Sequence, residues 1–146
     1  MDNCRRELIE NENIIAEPYS KGADLVKEIK PKDADELKYE ELLEGEIQTI
    51  SNIEWVLYKP RWGAFYQTKL DEFLKNELDI NTLISTGCNF PNCPRTSIYE
   101  ASERDFRIIM VEDAMSGVYV KGLEELKNIG VNVLNSEQVV EEIKHL

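Results

Sequence analysis

Thr82–Ala101, TLISTGCNFPNCPRTSIYEA, is the stretch on which the reading of this chain turns. Leu83 and Ile84 form an apolar run that leads into Thr86-Gly87. A tight turn rich in Gly, Asn and Pro follows and ends on Cys93. Pro94 then opens a helix, as proline does at a first helical position, where its missing N–H costs nothing. The order is strand, sharp turn, helix, with a thiol where the helix starts. Thiol chemistry needs a thiolate, and the free N–H groups and positive dipole end of a helix N-terminus favour negative charge. The position also suits an inert thiol, because cysteine is among the residue types most often buried. Cys88 ends the apolar strand and is expected to be buried. Cys4 lies in a charged segment and reads as incidental. Three cysteines without a CxxC pair offer no zinc framework, and an odd count with no signal peptide fits a reducing cytoplasm.

Outward from this stretch, strand and helix patterns alternate from Ile53 onward. Glu54–Lys59 reads as a strand. Thr68–Leu78 reads as an amphipathic helix capped by Thr68, with Leu70, Phe73, Leu74 and Leu78 as its apolar stripe. Thr82–Thr86 is a strand and Pro94 to about Arg104 a helix. Arg107–Val111 is a continuous apolar run, as a buried parallel strand requires. Val120–Ile129 is a helix stopped by Gly130, and Val131–Leu134 a short strand. Ser136 is expected to cap a last helix with Val139, Val140 and Ile143 inward. Repeated β–α–β units predict an α/β fold with a parallel sheet covered by helices.

Residues 1–52 differ. They are acid-rich and mostly loop and helix, with short apolar patches at Ile14-Ile15, Leu25-Val26 and Leu42-Leu43 and nothing that reads as a buried strand. Residues 53–146 hold the β/α core, and the two parts are expected to form one domain, the usual reading of 146 residues. Acidic residues number 29 against 17 Lys and Arg, a net charge of −12. That argues against nucleic acid or an anionic membrane as partner, since both need basic surfaces. No apolar run approaches the length of a membrane span.

The motifs resemble those of one family. Tyr58–Thr68, YKPRWGAFYQT, resembles the K-x-x-x-G-A-F-x-x-T segment of the isochorismatase-like cysteine hydrolases, the superfamily of nicotinamidases and N-carbamoylsarcosine amidases. Thr86–Ala101 resembles their nucleophile loop, and Glu112-Asp113-Ala114 the D-A pair after the next strand. The resemblance covers roughly residues 53–146. It implies a three-layer α/β/α, Rossmann-like fold with a mostly parallel sheet. It also implies that Cys93 attacks an amide carbonyl and forms a thioester, with Lys59 beside it holding the thiolate. The backbone N–H groups of Asn89 and Cys93 would form the oxyanion hole, shaped by a cis peptide between Cys88 and Asn89. Trp62, Phe65 and Phe90 are candidates to line a substrate pocket. Aromatic residues in loops are as often core or interface. Lys59 also reads as a solvated strand end, and Asp113 as a residue capping a turn. Arg61 and Arg95 suit either a substrate carboxylate or surface ion pairs.

The resemblance breaks at the N-terminus. The superfamily's triad is Asp, Lys and Cys, with the Asp at the end of the first strand, and no run here matches it. Met1-Asp2-Asn3 instead resembles the end of the second strand. The expectation is a shortened chain that lacks the first two strands, separates strand three from strand four and exposes apolar edges; an incomplete gene product, a partner chain that fills the gap in a homo-oligomer, and a rearranged sheet each fit it. Asp2 matches a metal-ligand position of nicotinamidases, but the only histidine is His145, at the C-terminus. No metal and no cofactor are expected. The predicted activity is hydrolysis of a small amide or carbamoyl C–N bond in the cytoplasm. The rival is a catalytically inactive relative that binds a small molecule or serves as an oligomerisation module. A third reading pairs Cys93 with Cys88 as a redox couple across the turn.

Overall fold

A computed structural model describes residues 3–11 and 17–145. Ile14-Ile15 and Asp2 lie outside them. In chain order, a 3₁₀ turn at Asn3–Arg5 runs into helix α1 (Arg6–Glu10), and α2 (Tyr39–Leu43) follows a long irregular segment. Strands β1 (Ile47–Ser51) and β2 (Glu54–Leu57) form an antiparallel hairpin. Next come α3 (Leu70–Glu72), which runs into a π turn at Phe73–Glu77, then β3 (Thr82–Gly87) and α4 (Cys93–Ser102). The chain closes with β4 (Arg107–Met115), α5 (Val120–Asn128), β5 (Asn132–Leu134) and α6 (Ser136–Lys144).

The chain folds as a mixed α/β protein with a parallel sheet of three strands in the order β3-β4-β5. β4 is central, which explains its apolar sequence: Ile108, Met110, Val111 and Met115 are all buried. Phe90, Ile98 and Leu126, from the loop after β3 and from helices α4 and α5, pack with Ile108, Met110 and Met115 as one core cluster. Leu126 also closes α5. The Val131 N–H donates to the Leu126 carbonyl (3.1 Å) and the Gly130 N–H to that of Lys127 (3.0 Å), with Gly130 at φ 88°. This is a Schellman turn, and its apolar partners Leu126 and Val131 are both core residues.

Several expectations need correction. Residues 1–52 do contain a strand: β1 buries Gln48 and Ile50 and pairs with β2, so the turn Asn52-Ile53 lies inside a hairpin. A polar, alternating strand whose buried members are Gln48 and Ile50 carries little apolar signal. Gln48 is buried because its amide is satisfied. It accepts from Lys38 N (2.9 Å) and donates to the Glu36 carbonyl (2.7 Å), tying the preceding segment to the hairpin. β2 lies in a separate antiparallel sheet and not in the parallel one, in keeping with the expected separation of strand three from strand four.

The helix expected over Thr68–Leu78 starts at Leu70 and widens into the π turn, closed by the Leu78 N–H on the Phe73 carbonyl (3.2 Å). Thr68 donates its hydroxyl hydrogen to the Ala64 carbonyl (2.6 Å) and still accepts from Leu70 N (3.4 Å), although Lys69 holds the cap position itself. Asn135, not Ser136, caps α6. Its side chain accepts from Gln138 N and its N–H donates to Gln138 Oε1, both at 2.9 Å, in a capping box. Val139 is buried, but Val140 and Ile143 are 52% and 51% exposed, because only one narrow face of α6 meets β4. Cys88 is exposed, since the strand ends at Gly87 and the turn leaves the core.

Two outcomes are expected. Leu126→Ala removes a fully buried side chain from both core and helix stop, and should destabilise the fold by about 2–5 kcal/mol in denaturant unfolding. Asp113 accepts from Ser136 Oγ (2.7 Å) and Ser136 N (2.8 Å), and these bonds, the hydroxyl's first, hold its carboxyl below the ordinary value. The depressed value means that this tether is intact above the ordinary carboxylate range and is lost as pH falls through the native value. Ser136→Ala should raise the Asp113 titration midpoint in a carboxyl-carbon NMR titration; an unmoved midpoint would refute the tether.

Candidate active site

The site forms where β3 stops. Gly87 adopts φ 127° and the Cys88–Asn89 peptide is cis, as the resemblance implied. Phe90 then turns fully into the core, with 0% exposure. Its N–H donates to the Ser116 carbonyl (2.8 Å) and the Ser116 N–H returns to the Gly87 carbonyl (3.1 Å). The loop after β3 is thus stitched to the end of β4. Phe90 stacks edge-on against Tyr119 at 5.5 Å, and it presses so close to α5 that a Cβ on Gly122 would lie 2.6 Å from its ring. This anchor fixes where the next turn, Asn89–Asn92, delivers Cys93.

Cys93 is the first residue of α4, a helix of 10 residues, so its sulfur lies at the positive end of that dipole. Lys59, just past β2, meets it: Nζ donates to Cys93 Sγ at 3.3 Å. The same ammonium donates to the Arg61 carbonyl (2.9 Å) and the Trp62 carbonyl (3.0 Å), so all three of its donors have a partner. Among the described residues, the N–H groups of Asn89 and Cys93 donate to no other protein group. Two residues that are 34 apart in sequence are therefore brought into contact.

The other expected site residues fare differently. Phe65 and Phe90 are both buried in the core, and Phe65 also lines a cavity between α4 and β3 together with Ala64, Leu83 and Ser97. Trp62 is 43% exposed, with the Arg5 guanidinium 4.9 Å from its ring centroid. Arg95 pairs with Glu125, bonds to the Tyr119 hydroxyl and lies over the Tyr99 and Tyr119 rings. These contacts, that with Tyr99 foremost, hold its pKa above the ordinary value, and it acts as a strut between α4 and α5. Arg61 donates to the Pro60 carbonyl (2.8 Å). Cys88 and Cys93 are both free thiols. Among the described residues no cluster of His, Cys, Asp or Glu is placed to hold a metal. No helix among them is long and apolar enough to cross a membrane.

Ser97 and Glu100 were missed in the sequence. Ser97 Oγ accepts from Ala64 N (3.1 Å) and Glu100 Oε2 from Phe65 N (2.9 Å). Their signal was present: they follow Cys93 at i+4 and i+7, one face of a helix.

With this geometry in view, the relationships to known proteins are clear. The isochorismatase domain family matches residues 9–138, and the chain belongs to that family. A probable inactive nicotinamidase of Arabidopsis thaliana is 26% identical over 95 residues, which are 62% of this chain and 48% of that protein. An isochorismatase family protein from Desulfovibrio vulgaris superposes with a TM-score of 0.75 at 20% identity, over 98% of this chain and 67% of that one. N-carbamoylsarcosine amidase from Thermoplasma acidophilum superposes with 0.65 at 24% identity, over 88% and 64%. These structural likenesses are likenesses of fold. The chain spans about half the length of the curated relative that it matches.

If the Lys59 ammonium supports a thiolate at Cys93, then Lys59→Met should slow Cys93 alkylation by iodoacetamide about tenfold, with Cys4 and Cys88 replaced by Ser. Mass spectrometry reads the rate, and an unchanged rate would deny the pair its role.

Proposed function

We propose that this site cleaves a small amide or carbamoyl C–N bond through a thioester on Cys93. The single observation that carries the reading is Lys59 Nζ at 3.3 Å from Cys93 Sγ, at the start of α4. A thiolate is the reactive form of cysteine, and a cation with a helix N-terminus supplies the positive field it needs. The sulfur attacks the carbonyl carbon and forms a C–S bond. The carbonyl oxygen takes the negative charge and accepts from the Asn89 and Cys93 N–H groups, donors each worth about 10²–10³-fold in rate in such sites. The C–N bond breaks and the amine leaves with a proton from the Lys59 ammonium, which regains one from the water that attacks next. Water then attacks the thioester, which releases the acid and returns the thiol. The amide class of substrate is carried over from the fold shared with N-carbamoylsarcosine amidase.

A second reading has its own support. The Arabidopsis relative is described as probably inactive, and among the described residues no carboxylate hydrogen-bonds to Cys93 or to Lys59. The step at risk is attack by water, which needs a base. In that case the chain binds a small molecule without turning it over. A homo-oligomer in the cytoplasm completes the proposal. The outer edge of β3 pairs with no strand among the described residues, and Ile84 on it is 45% exposed.

The experiment is turnover on a panel of small amides and N-carbamoyl compounds, with acid quench and intact mass measurement. The expected result is a transient acyl adduct on Cys93 and release of amine. Cys93→Ala should lower that release by roughly 10³-fold or more. An adduct without turnover would favour the inactive reading, and turnover that survives Cys93→Ala would sink the proposal.

A further inference from the structure

The Lys59 ammonium is held by carbonyls of the loop 61–65, and that loop is itself held by α4. Cys93, Ser97 and Glu100 lie along one face of the helix. Ser97 Oγ donates to the Cys93 carbonyl (2.8 Å) and accepts from Ala64 N (3.1 Å). Glu100 Oε2 accepts from Phe65 N (2.9 Å). Two successive N–H groups of the loop are thus fastened to the helix that begins with the thiol. Just upstream, the Arg61 and Trp62 carbonyls take Lys59 Nζ at 2.9 and 3.0 Å.

Glu100 controls the separation of loop and helix. Gly63 is buried, and a Cβ built on it would lie 2.1 Å from Glu100 Oε2 and 2.2 Å from its Cδ. The loop backbone therefore rests directly on the carboxylate, with no room for a side chain between them. A charged acceptor makes a shorter and stronger bond to a backbone N–H than a neutral one. On the far side, Arg104 Nη1 donates to the Glu100 carbonyl (2.8 Å), and its guanidinium lies 5.2 Å from the Phe65 ring centroid. The carboxylate is thus the central one of the contacts that clamp the loop.

We infer that Glu100 is a positioning residue: through Gly63 and Phe65 it sets the height of the loop 61–65 over α4, and so keeps Lys59 Nζ on Cys93 Sγ. The inference rests on the reading of Lys59 and Cys93 as the reactive pair. The ammonium has no spare donor with which to follow a shifted loop and still reach the sulfur.

The test uses the full chain with Cys4→Ser and Cys88→Ser, so that Cys93 is the one thiol. Its alkylation by iodoacetamide at neutral pH is followed by intact mass, and circular dichroism checks the fold of each variant. Glu100→Ala should slow alkylation about tenfold, as Lys59→Met does, whereas Glu100→Gln, which retains an acceptor for Phe65 N, should stay within about threefold of the parent. The double variant Lys59→Met/Glu100→Ala should be no slower than Lys59→Met alone, because one substitution acts through the other. Gly63→Ala, which pushes on the carboxylate from the loop side, should slow the reaction in the same way. Parental rates in Glu100→Ala, or losses that multiply in the double variant, would overturn the inference. If Glu100→Ala does not fold, Gly63→Ala decides, and a parental rate there overturns it too. If Lys59→Met itself leaves the rate unchanged, the reactive pair fails first and this inference falls with it. A slow Lys59→Met beside a parental Glu100→Ala defeats the inference alone.

Discussion

The two sheets of this protein share no strand pairing, and the seam between residues 59–65 and helix α4 joins them where the site lies. On one side the hairpin β1–β2 ends at Leu57 and releases Lys59. On the other the parallel sheet delivers Cys93 at the end of a loop that Phe90 anchors. Backbone N–H groups of the loop reach side chains of α4, and a lysine of the loop reaches the first residue of α4. The same bonds thus join the two halves and assemble the reactive pair. A site built on such a seam is sensitive to small shifts, since a hydrogen bond to a thiol weakens steeply with distance and angle.

The seam also explains the glycine of the GAF segment. Gly63 is needed for close approach, because the space a Cβ would occupy already holds the Glu100 carboxylate. Ala64 and Phe65 complete the fit: one donates to Ser97, and the other donates to Glu100 while its ring enters the core beside Phe106 at 5.7 Å. Phe65 is thus a packing residue that orders the loop, and it also lines the cavity between α4 and β3. Phe90, fully buried with its ring against Tyr119, orders the loop before Cys93 in the same way. Large apolar side chains next to a reactive residue are often the means by which a loop is held still.

Legibility followed the range of the interactions involved. Gly130 stops α5 and Arg107–Val111 is a buried strand because local φ preference and apolar run length decide those outcomes. β1 was missed because its burial rests on Gln48, a polar residue satisfied by backbone groups of Glu36 and Lys38, 12 and 10 residues away. The cap of α6 was placed one residue late because Asn135 and Ser136 are both good caps. Asp113, a residue of β4, takes the Ser136 hydroxyl and leaves Asn135 to cap. Val140 and Ile143 looked inward by periodicity, but α6 has a core to face along Val139 only.

By itself the sequence determined the order of elements around the thiol, the sharp turn after β3 and the helix that starts on Cys93. Each of these is set by neighbours along the chain: apolar run, glycine, proline. It also carried, through motif resemblance, the pairing of Lys59 with Cys93. The tertiary structure alone decided how that pairing is held. Lys59 meets the sulfur because the Arg61 and Trp62 carbonyls orient it, and those carbonyls stand where they do because Ser97 and Glu100 grip the next residues of the loop. Contacts between segments more than 30 residues apart have no local propensity to announce them. They exist only once the strands and helices have packed.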